Sequence, residues 1–509
     1  MREFLNARCA ARGDATFLLF RGKAWSYSDL ARITDGAAAS FARLGLRRGD
    51  RAAVMLPNGP EMIFTWLALA KIGVVTAPLH PQLTPEEAGR MLAFVEPAIF
   101  IRDPSLRAAQ DARVPAQTRI VIGRTGATGQ TGELEENLSC RDQLAGMEAP
   151  DPDDPADILL TSGTTGLPKG VVQPVRTYTL TGEAFAHWLG LTAADRLFTC
   201  LPLSHINARA YSVMGALAAG ASLALEERFS ASRFWDQVAS CGATEANAIG
   251  AMLNILLKAP PGPADRAHGL RLVYSAPALG EAAHLAFEQR FGTRLVIGYG
   301  LTESTFGFIH PLQPLHSLHS PGNARRLDAM GTPRRHPDPR HGNEVRLVAD
   351  GRDVEDGDVG EIWLRNQATF SHYHKDEQAT RDALTPEGWL RTGDLVRRED
   401  HGWYLFVGRS KEIIRRRGEN IAPGEVELAL MLHPAVHEAA VVGVASPLGE
   451  EDVAAFVVLE AGASVSEEDL RAWCAARLAP FKVPVLWRFL EDLPRTSTQR
   501  VAKHLLRRE

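Results

Sequence analysis

The residues best suited to chemistry lie in residues 158–172, where a loop rich in glycine and hydroxyl groups separates two apolar runs. Glycines let backbone N–H groups approach an anion, hydroxyls add hydrogen-bond donors, and a lysine adds a positive charge. The residues that carry these groups are Thr161, Ser162, Gly163, Thr164, Thr165, Gly166, Lys169 and Gly170. Since the flanking runs suit strands, the segment predicts a phosphate-binding loop between two strands, which we favour over an ordinary surface loop.

The spacing within this loop excludes the P-loop of nucleotide hydrolases. That motif needs a Gly-Lys-Ser or Gly-Lys-Thr triplet after a first glycine and four intervening residues. Here Lys169 instead follows a Leu-Pro pair and precedes Gly170. We therefore expect an anion site of a different class.

Polar residues also follow other predicted strands. Thr302 and Glu303 come directly after the apolar run 294–299, and strand C-termini in open α/β sheets are where ligands bind. A hydroxyl and a carboxylate there suggest contacts with phosphate and Mg²⁺, while the same pair would also suit the N-terminus of a helix. Taken alone, His205 is as compatible with a structural role as with a site, and Asp394 is typical of a turn.

Composition and charge exclude several classes of partner. The chain has 509 residues, 45% hydrophobic and 23% charged, with a net charge of −5, which is typical of a globular protein of roughly three structural units. No region is strongly basic, so we expect no nucleic-acid partner. No apolar run approaches the ~20 residues of a membrane span. The five cysteines occur singly, and the C-terminus carries no peroxisomal or retention signal, which together favour a reducing, cytoplasmic location without a disulfide framework or zinc site.

The order of the predicted elements indicates an α/β fold. From residue 25 to 101 and again after the glycine-rich loop, helical stretches alternate with short strands, as in layered α/β sheets. Residues 61–72 are apolar nearly all round and predict a buried helix, whereas residues 122–156 predict an exposed connection. Residues 311–342 predict a long loop whose histidines lack metal-ligand spacing. A β-rich unit follows, and a charged, glycine-rich stretch at 408–424 predicts a boundary before a small C-terminal α+β domain.

Taken together and in this order, the motifs resemble those of the adenylate-forming superfamily, which includes acyl-CoA synthetases, peptide-synthetase adenylation domains and firefly luciferase. The resemblance covers nearly the whole chain. Three segments are most similar to crotonobetaine/carnitine-CoA ligase-like proteins, namely 204–208 (Ser-His-Ile-Asn-Ala), 229–235 (Phe-Ser-Ala-Ser-Arg-Phe-Trp) and 299–307 (Tyr-Gly-Leu-Thr-Glu-Ser-Thr-Phe-Gly). The resemblance implies a ligase that uses ATP, Mg²⁺ and coenzyme A. A fatty or carnitine-like acid would attack the α-phosphate of ATP, and the thiol of coenzyme A would then capture the acyl-adenylate.

For the nucleotide site, the resemblance implies that loop 161–170 neutralises the phosphates, that Glu303 with Thr161 holds Mg²⁺, and that Thr302 contacts a phosphate. Further nucleotide contacts would come from Ser275, Ala276, Pro277, Tyr299 and Gly300 around adenine, and from Asp394 and Arg409 at the ribose hydroxyls.

The resemblance also implies an acyl site, in which His205 takes part in catalysis. Its other lining residues would be Asn207, Ala208, Arg209, Ala248, Ile249, Gly250, Tyr274, Phe306 and Gly307. Arg209 could pair with a second acid or cap a helix. A quaternary ammonium substrate would need an aromatic or acidic wall, which Tyr274 and Phe306 only half supply.

The same resemblance divides the chain into a large domain, residues 1–408, a hinge at 409–412, and a small mobile domain, residues 413–509. Lys411 lies in the hinge, about which the small domain would swing so that one active site serves both half-reactions. The residues that would shape the coenzyme A tunnel are Gly418, Glu419 and Asn420.

Two positions depart from the family pattern. Residues 494–503 place Arg500 where the family has the lysine that bridges the carboxylate and the α-phosphate. Arginine keeps the charge but has a different reach, and Lys503 is the nearby candidate to replace it. Adenylation would run with Arg500, run with Lys503, or be impaired. The second departure, valine before Arg176 in place of histidine, affects a secondary contact at most.

Three functions follow as hypotheses. The first is an acid–CoA ligase, and the second is a stand-alone adenylation enzyme that loads a separate carrier protein. The third is a nucleotide-binding protein that has lost adenylation because of Arg500. Dependence of the product on coenzyme A separates the first two, and pyrophosphate exchange separates both from the third.

Overall fold

The computed structural model describes residues 1–122, 133–140, 144, 148–161, 169–276, 279–310, 326–327, 329–399, 402–410, 412–416, 419–446, 451–495 and 501–507. These residues form two compact units. The first holds the described residues of Met1–Gly163, Pro168–Glu344 and Leu364–Leu390, and the second holds those of Val345–Trp363 and Arg391–Glu509. The β strands after residue 344 thus group largely with the C-terminal part. Compactness does not measure motion, so the hinge at 409–412 and the domain limits around it stay predictions.

The helices of the described residues alternate with strands along the first unit. They are α1 (Arg2–Arg12), α2 (Tyr27–Arg43), α3 (Pro60–Lys71), α4 (Pro85–Val95), α5 (Arg107–Asp111), α6 (Glu133–Ser139), α7 (Val175–Trp188), α8 (Met214–Ala219), α9 (Phe234–Cys241), α10 (Gly250–Lys258), α11 (Glu281–Phe291), α12 (Glu377–Ala383), α13 (Pro423–Met431), α14 (Glu467–Ala475) and α15 (Lys503–Leu506). A π-helical turn, Asn207–Val213, leads into α8.

The strands in chain order are β1 (Thr16–Phe20), β2 (Lys23–Ser26), β3 (Arg51–Met55), β4 (Val75–Pro78), β5 (Ile99–Arg102), β6 (Arg119–Ile122), β7 (Pro155–Thr161), β8 (Lys169–Pro174), β9 (Arg196–Thr199), β10 (Ser222–Leu225), β11 (Glu245–Ile249), β12 (Leu272–Ala276), β13 (Arg294–Tyr299), β14 (Phe308–Ile309), β15 (Thr332–Pro333), β16 (Asn343–Ala349), β17 (Arg352–Asp353), β18 (Val359–Asn366), β19 (His372–Tyr373), β20 (Leu390–Glu399), β21 (Trp403–Arg409), β22 (Ile414–Arg416), β23 (Glu419–Ile421), β24 (Val436–Ala445), β25 (Glu451–Leu459) and β26 (Leu486–Leu490).

Two large sheets form the first unit. The nine-stranded sheet has the order β15-β14-β13-β12-β11-β9-β10-β1-β2, and the seven-stranded sheet has the order β19-β8-β7-β4-β3-β5-β6. The central strands of both sheets run parallel and are buried, as expected where helices cover both faces. The predicted layered α/β fold is therefore confirmed, and polar residues at the parallel strand C-termini gather at one edge of each sheet.

Local sequence signals explain several helices. Residues 60–71 are buried on every side apart from Glu61, which confirms the predicted buried helix as α3. Helix α2 begins at a capping box, in which the Ser26 side chain accepts from the Asp29 backbone N–H and Asp29 accepts from that of Ser26. The predicted exposed connection at 122–156 is wrong for α6, because Leu134 and Asn137 are buried there; a single short amphipathic turn gives little periodicity.

The second unit holds smaller sheets, in the orders β17-β16-β18-β20-β21, β22-β23 and β24-β25-β26. Helices α13 and α14 cover the last of these, with Val426, Leu430, Leu470 and Cys474 in one apolar cluster. This confirms the predicted α+β character of the C-terminal part. Across the described residues, no helix combines the length and apolar character that crossing a membrane requires.

One buried carboxyl group lies at the start of β11, at the opposite end of the strand from the predicted site. Glu245 is fully buried, and neither carboxylate oxygen has a hydrogen-bond partner among the described residues. Burial raises the pKa of Glu245 well above its ordinary value, and Arg271 offsets this only in part. The folded protein therefore holds a proton here that the unfolded chain releases.

The consequence is a pH-dependent stability. The raised pKa of Glu245 contributes to the free energy of unfolding. This contribution is fully present below the pKa of the unfolded chain, about 4.3, and is lost as the pH rises through the pKa of the folded protein. We expect Glu245→Gln to raise the thermal midpoint, and to raise it more at pH 8 than at pH 5. The exposed Glu281→Gln, which removes a carboxylate from the first turn of α11, serves as the control and should change both midpoints by the same small amount. An equal shift at both pH values for Glu245→Gln would contradict the buried-acid assignment.

Candidate functional site

The two strands that flank the glycine-rich segment, β7 and β8, pair as antiparallel neighbours, and the predicted strand flanks are thus confirmed. Thr161 pairs with Lys169 across the hairpin, and the Thr161 hydroxyl donates to the Lys169 carbonyl at 3.4 Å. The intervening predicted residues Ser162, Gly163, Thr164, Thr165 and Gly166 lie outside the described residues. Gly170 lies within β8, where a Cβ would come within 3.0 Å of Phe94 and His374, so the packing leaves little room for a larger residue.

Tyr373 connects the lysine of this hairpin to the predicted metal-binding carboxylate. Strand β19 pairs with β8, and this places the Lys169 ammonium 4.5 Å from the centre of the Tyr373 ring. The Tyr373 hydroxyl donates to Glu303 Oε1 at 2.8 Å. Burial and the neighbouring Glu303 raise the pKa of Tyr373, so the phenol remains a donor. Sequence reasoning missed Tyr373, because no motif spacing links it to Glu303.

Thr302 and Glu303 lie on an irregular turn after β13 rather than at the N-terminus of a helix, so the alternative explanation of this pair is wrong. The Leu301 N–H donates to the Ser304 carbonyl at 2.8 Å, and Gln173 donates its side-chain amide to the Thr302 carbonyl. The Phe370 N–H donates to the Glu303 carbonyl at 2.8 Å. These contacts fix the backbone of the turn, and the Tyr373 hydroxyl holds its carboxylate.

The predicted adenine residues lie at the ends of two neighbouring parallel strands. Ser275 and Ala276 end β12, and Tyr299 ends β13. Ser275 is fully buried, and its hydroxyl has no hydrogen-bond partner among the described residues. Gly300 follows with little space for a side chain, since a Cβ would lie 3.1 Å from the Tyr211 hydroxyl. Pro277 lies outside the described residues.

On the acyl side, His205 lies beside a second histidine. The rings of His205 and His80 are 5.7 Å apart, and burial lowers the pKa of His80, which favours its neutral form. His80 follows β4, so the pair joins strand ends of the two large sheets. Sequence reasoning missed His80, since single histidines carry no signal of their own.

The π-helical turn carries the next predicted acyl residues. Asn207 accepts from the side-chain amide of Asn247 at 3.2 Å, and Ala208 is buried. The Asn247 side chain is fully buried, with its carbonyl oxygen unpartnered in the described part of the chain. Single π-helical turns occur often at functional sites. The remaining small or apolar residues of this wall, Ala248, Ile249 and Gly250, follow Asn247 at the end of β11 and the start of α10.

Arg209 forms a fully buried ion pair with Asp157 of β7. Its Nη1 lies 2.8 Å from Asp157 Oδ1, and Nε donates to the Leu203 carbonyl at 2.6 Å. Tyr178 donates to the second oxygen of Asp157, and the Trp66 ring lies 4.7 Å below the guanidinium. The sequence left two roles open for Arg209, which were to pair with a second acid in the acyl site or to cap a helix. The ion pair with Asp157 is neither of these. Acyl contact by Arg209 stays a prediction, carried by Nη2, which lacks a hydrogen-bond partner among the described residues.

Tyr274 and Phe306 are buried, and Tyr274 accepts a hydrogen bond from Arg334, a residue that sequence reasoning missed. Gly307 is required where it stands, since a Cβ would lie 2.2 Å from the Tyr299 carbonyl oxygen. Tyr274, Phe306 and Gly307 therefore lie behind the end of β13 in the first unit.

In the second unit, the predicted ribose residues Asp394 and Arg409 pair across β20 and β21. Arg409 Nε lies 3.0 Å from the buried Asp394 carboxylate. The predicted residues Lys411, Gly418 and Arg500 lie outside the described residues, and Glu419 and Asn420 are described by their backbone in β23.

Lys503, the candidate substitute for the family lysine, is held by two carboxylates of its own unit. Its ammonium lies 2.7 Å from Glu427 and 3.2 Å from Glu412. Burial would lower the pKa of Lys503, but the two carboxylates outweigh it and raise the pKa above its ordinary value. Lys503 is thus a charged structural contact in this arrangement.

Comparisons with known proteins bear on what these groups do. Residues 5–374 match the family described as AMP-binding enzyme, and residues 425–500 match the AMP-binding enzyme C-terminal domain. A crotonobetaine/carnitine–CoA ligase from Salmonella enteritidis is 33% identical, over 100% of this chain and 98% of the relative. The ATP-bound structure of MatB from Rhodopseudomonas palustris is 26% identical with a TM-score of 0.87, covering 100% and 99% of the two chains. The o-succinylbenzoate–CoA synthetase of Bacillus subtilis, solved with an acyl-adenylate intermediate, is 26% identical with a TM-score of 0.85, covering 99% and 98%.

Proposed function

Because the chain belongs to the AMP-binding enzyme family, we propose that Lys169, Tyr373 and Glu303 form the phosphate side of the ATP site of an acid–CoA ligase. The ligase activates a carboxylic acid with ATP and transfers it to coenzyme A through an acyl-adenylate. The observation that carries this proposal is the geometry of Tyr373, which holds a lysine on its ring face and a carboxylate on its hydroxyl. A cation and a carboxylate on opposite parts of one side chain suit a phosphate chain and its metal ion.

The reaction has two steps. In the first, a carboxylate oxygen of the acid attacks the α-phosphorus of ATP, and the bond to pyrophosphate breaks. In the second, the sulfur of coenzyme A attacks the acyl carbon, AMP leaves with the bonding electrons, and the thiol proton is released. Both steps need anionic oxygens neutralised in fixed positions, which Lys169, Thr161 and the N–H groups of the loop would supply.

The donor set fits Mg²⁺. Mg²⁺ prefers one or two carboxylates together with substrate phosphates over an all-protein cage. Glu303 supplies such a carboxylate, and the described residues contain no group of three His, Cys, Asp or Glu side chains that could bind an ion alone. Glu303 and Thr161 would together hold Mg²⁺. When bound, the ion neutralises charge on the phosphates. The Tyr373 hydrogen bond orients the carboxylate for this task.

The remaining contacts follow the strand ends. Ser275, Ala276, Pro277, Tyr299 and Gly300 frame the adenine, and Thr302 contacts a phosphate. Asp394 and Arg409 bind the ribose hydroxyls. The ion pair between them holds the Asp394 carboxylate in place for this contact. On the acyl side, His205 and the wall that ends at Gly250 face the acid. Lys411 serves as the hinge, and Gly418, Glu419 and Asn420 shape the path of coenzyme A.

The search for the acid begins with fatty and carnitine-like acids. Curated relatives named for crotonobetaine and carnitine are the reason to begin there. The five cysteines are free thiols, as in a reducing compartment, and we place the enzyme in the cytoplasm.

The first test is pyrophosphate exchange into ATP across a panel of fatty and carnitine-like acids. We expect exchange with at least one acid in the presence of Mg²⁺, and a thioester product after coenzyme A is added. Exchange without thioester formation would favour loading of a carrier protein. Tight binding of AMP without exchange on any acid would favour the nucleotide-binding alternative.

Tyr373→Phe separates the two contacts of this side chain. The variant keeps the ring beneath Lys169 but loses the donor to Glu303, so we expect kcat/KM for Mg²⁺-ATP to fall roughly tenfold, as for the loss of one hydrogen bond to a charged group. Tyr373→Leu should lower this kcat/KM further, because it also removes the cation–π contact with Lys169. The KM for coenzyme A is the internal control. A change confined to coenzyme A would place Tyr373 outside the phosphate site.

The two C-terminal cations should respond differently. Lys503 is occupied by Glu412 and Glu427, which leaves Arg500 as the residue that bridges the carboxylate and the α-phosphate. We expect Arg500→Ala to lower exchange by roughly 10²-fold or more, with partial recovery in Arg500→Lys. Lys503→Ala should mainly lower the thermal midpoint, since it leaves two carboxylates unpaired. Near-wild-type rates for both variants would remove each residue from catalysis.

A further inference from the structure

Arg334 lies in an aromatic cage formed by Trp188, Tyr211 and Tyr274. Its side chain is fully buried, and its guanidinium carbon lies 4.6, 5.3 and 5.5 Å from the centres of these three rings, in that order. The guanidinium donates to the hydroxyls of Tyr211, at 2.8 Å, and Tyr274, and Nη1 and Nε donate to the carbonyls of Thr305, at 2.7 Å, and Phe308, at 2.9 Å. The cage is therefore filled by a cation of the chain itself.

The charge of Arg334 is not neutralised by a carboxylate within the described residues. All of its acceptors are neutral hydroxyls and carbonyls, whereas Arg209, which is also fully buried, is paired with Asp157. A buried cation that has hydrogen bonds but no counter-ion keeps a positive potential around it. The surroundings of the cage therefore repel a further cation.

The cage adjoins the residues predicted to line the acyl site. Tyr274 is a member of both, the Arg334 N–H donates to the Gly307 carbonyl at 2.9 Å, and Phe306 packs edge-on against Trp188 at 5.3 Å. The fit around the guanidinium is tight, since a Cβ on Gly298 would lie 2.2 Å from Arg334 Nη2. Arg334 is thus held in place behind the wall that would meet the distal end of the acid.

A quaternary ammonium group is recognised by open aromatic faces or by a carboxylate. The aromatic faces of the cage are occupied by Arg334. The buried carboxylate Asp157 is committed to Arg209 and Tyr178. Among the described residues, neither this cage nor Asp157 is therefore left to recognise a trimethylammonium group.

We propose that Arg334 is a specificity-determining residue that makes this ligase select acids with a neutral or anionic distal end over acids with a quaternary ammonium group. The inference rests on the proposed function and names the substrate class of that same site. It separates this chain from the relatives named for crotonobetaine and carnitine.

The test compares two acids of one shape. γ-Trimethylammonio-butanoate is measured against its carbon isostere, in which a tert-butyl group replaces trimethylammonium, by thioester formation with ATP, Mg²⁺ and coenzyme A. The wild-type enzyme is expected to prefer the isostere by roughly tenfold or more in kcat/KM, the size expected for a like charge nearby. A wild-type enzyme that uses the ammonium acid equally well or better overturns the proposal.

Three variants separate charge from the greater hydrophobicity of the isostere. Arg334→Met removes the charge at similar volume and should lower the preference several-fold, whereas Arg334→Lys keeps the charge and should keep the preference. Arg340→Met removes an exposed arginine of the same segment, paired with Asp338, and should leave the preference unchanged. An unchanged preference in a folded Arg334→Met would assign the discrimination to hydrophobicity and overturn the role of Arg334.

The outcomes distinguish this proposal from the proposed function. If Arg334→Met fails to fold, the ratio of the wild-type kcat/KM values for the two acids still tests the predicted selection. Turnover of the ammonium acid at full rate refutes the selection and leaves the ligase intact. Failure of pyrophosphate exchange with every acid of the wider panel refutes the ligase itself.

Discussion

The buried ion pair between Asp157 and Arg209 is the interaction on which the two sides of the first unit's site depend. Asp157 lies on β7, which leads into the phosphate loop, and Arg209 lies in the π-helical turn after His205. Because both side chains are fully buried, removing one partner would strand a charge at a cost of about 3–5 kcal/mol. A one-residue slip of β7 would break the pair and turn each side chain of the strand to the opposite face. The ion pair therefore fixes β7 relative to the π-helical turn.

Other buried polar contacts extend this constraint towards the reacting groups. Asn58 donates its amide to the Leu201 carbonyl at 2.8 Å and accepts from the Leu203 N–H at 2.9 Å, which fastens the end of β3 to the segment before His205. Gln173 does the same for the turn that carries Thr302. The chemical groups are thus oriented by side chains that reach across strand ends. Such orientation lets charges meet their ligands without reorganising.

The sequence allowed much of this arrangement to be predicted, and most of the misses have a common cause. The hairpin flanks of the phosphate loop, the buried helix α3 and the strand that ends at Tyr299 all carry strong periodicity or turn chemistry, so local patterns were sufficient. Tyr373, His80 and Arg334 were missed because their roles arise from contacts between residues distant in the chain. Arg209 was singled out for its charge, but its partner Asp157 lies on β7, far from it in the chain, which no local pattern reveals. Helix α6 was missed because it is too short for a periodic signal.

The distribution of charge explains how the first unit suits an attack of one anion on another. In adenylation a carboxylate must approach a phosphate, and the repulsion between them is a large part of the barrier unless fixed positive charge offsets it. Among the described cations, Arg209 is neutralised by Asp157, and in the second unit Arg409 and Lys503 are neutralised by carboxylates. Arg334 differs, because its charge is stabilised by hydroxyls, carbonyls and ring faces that leave the net charge in place. Keeping the charge of Arg334 uncompensated costs desolvation energy, which favours a use for its field. A positive field behind the wall proposed to meet the distal end of the acid makes a cation at that end unfavourable.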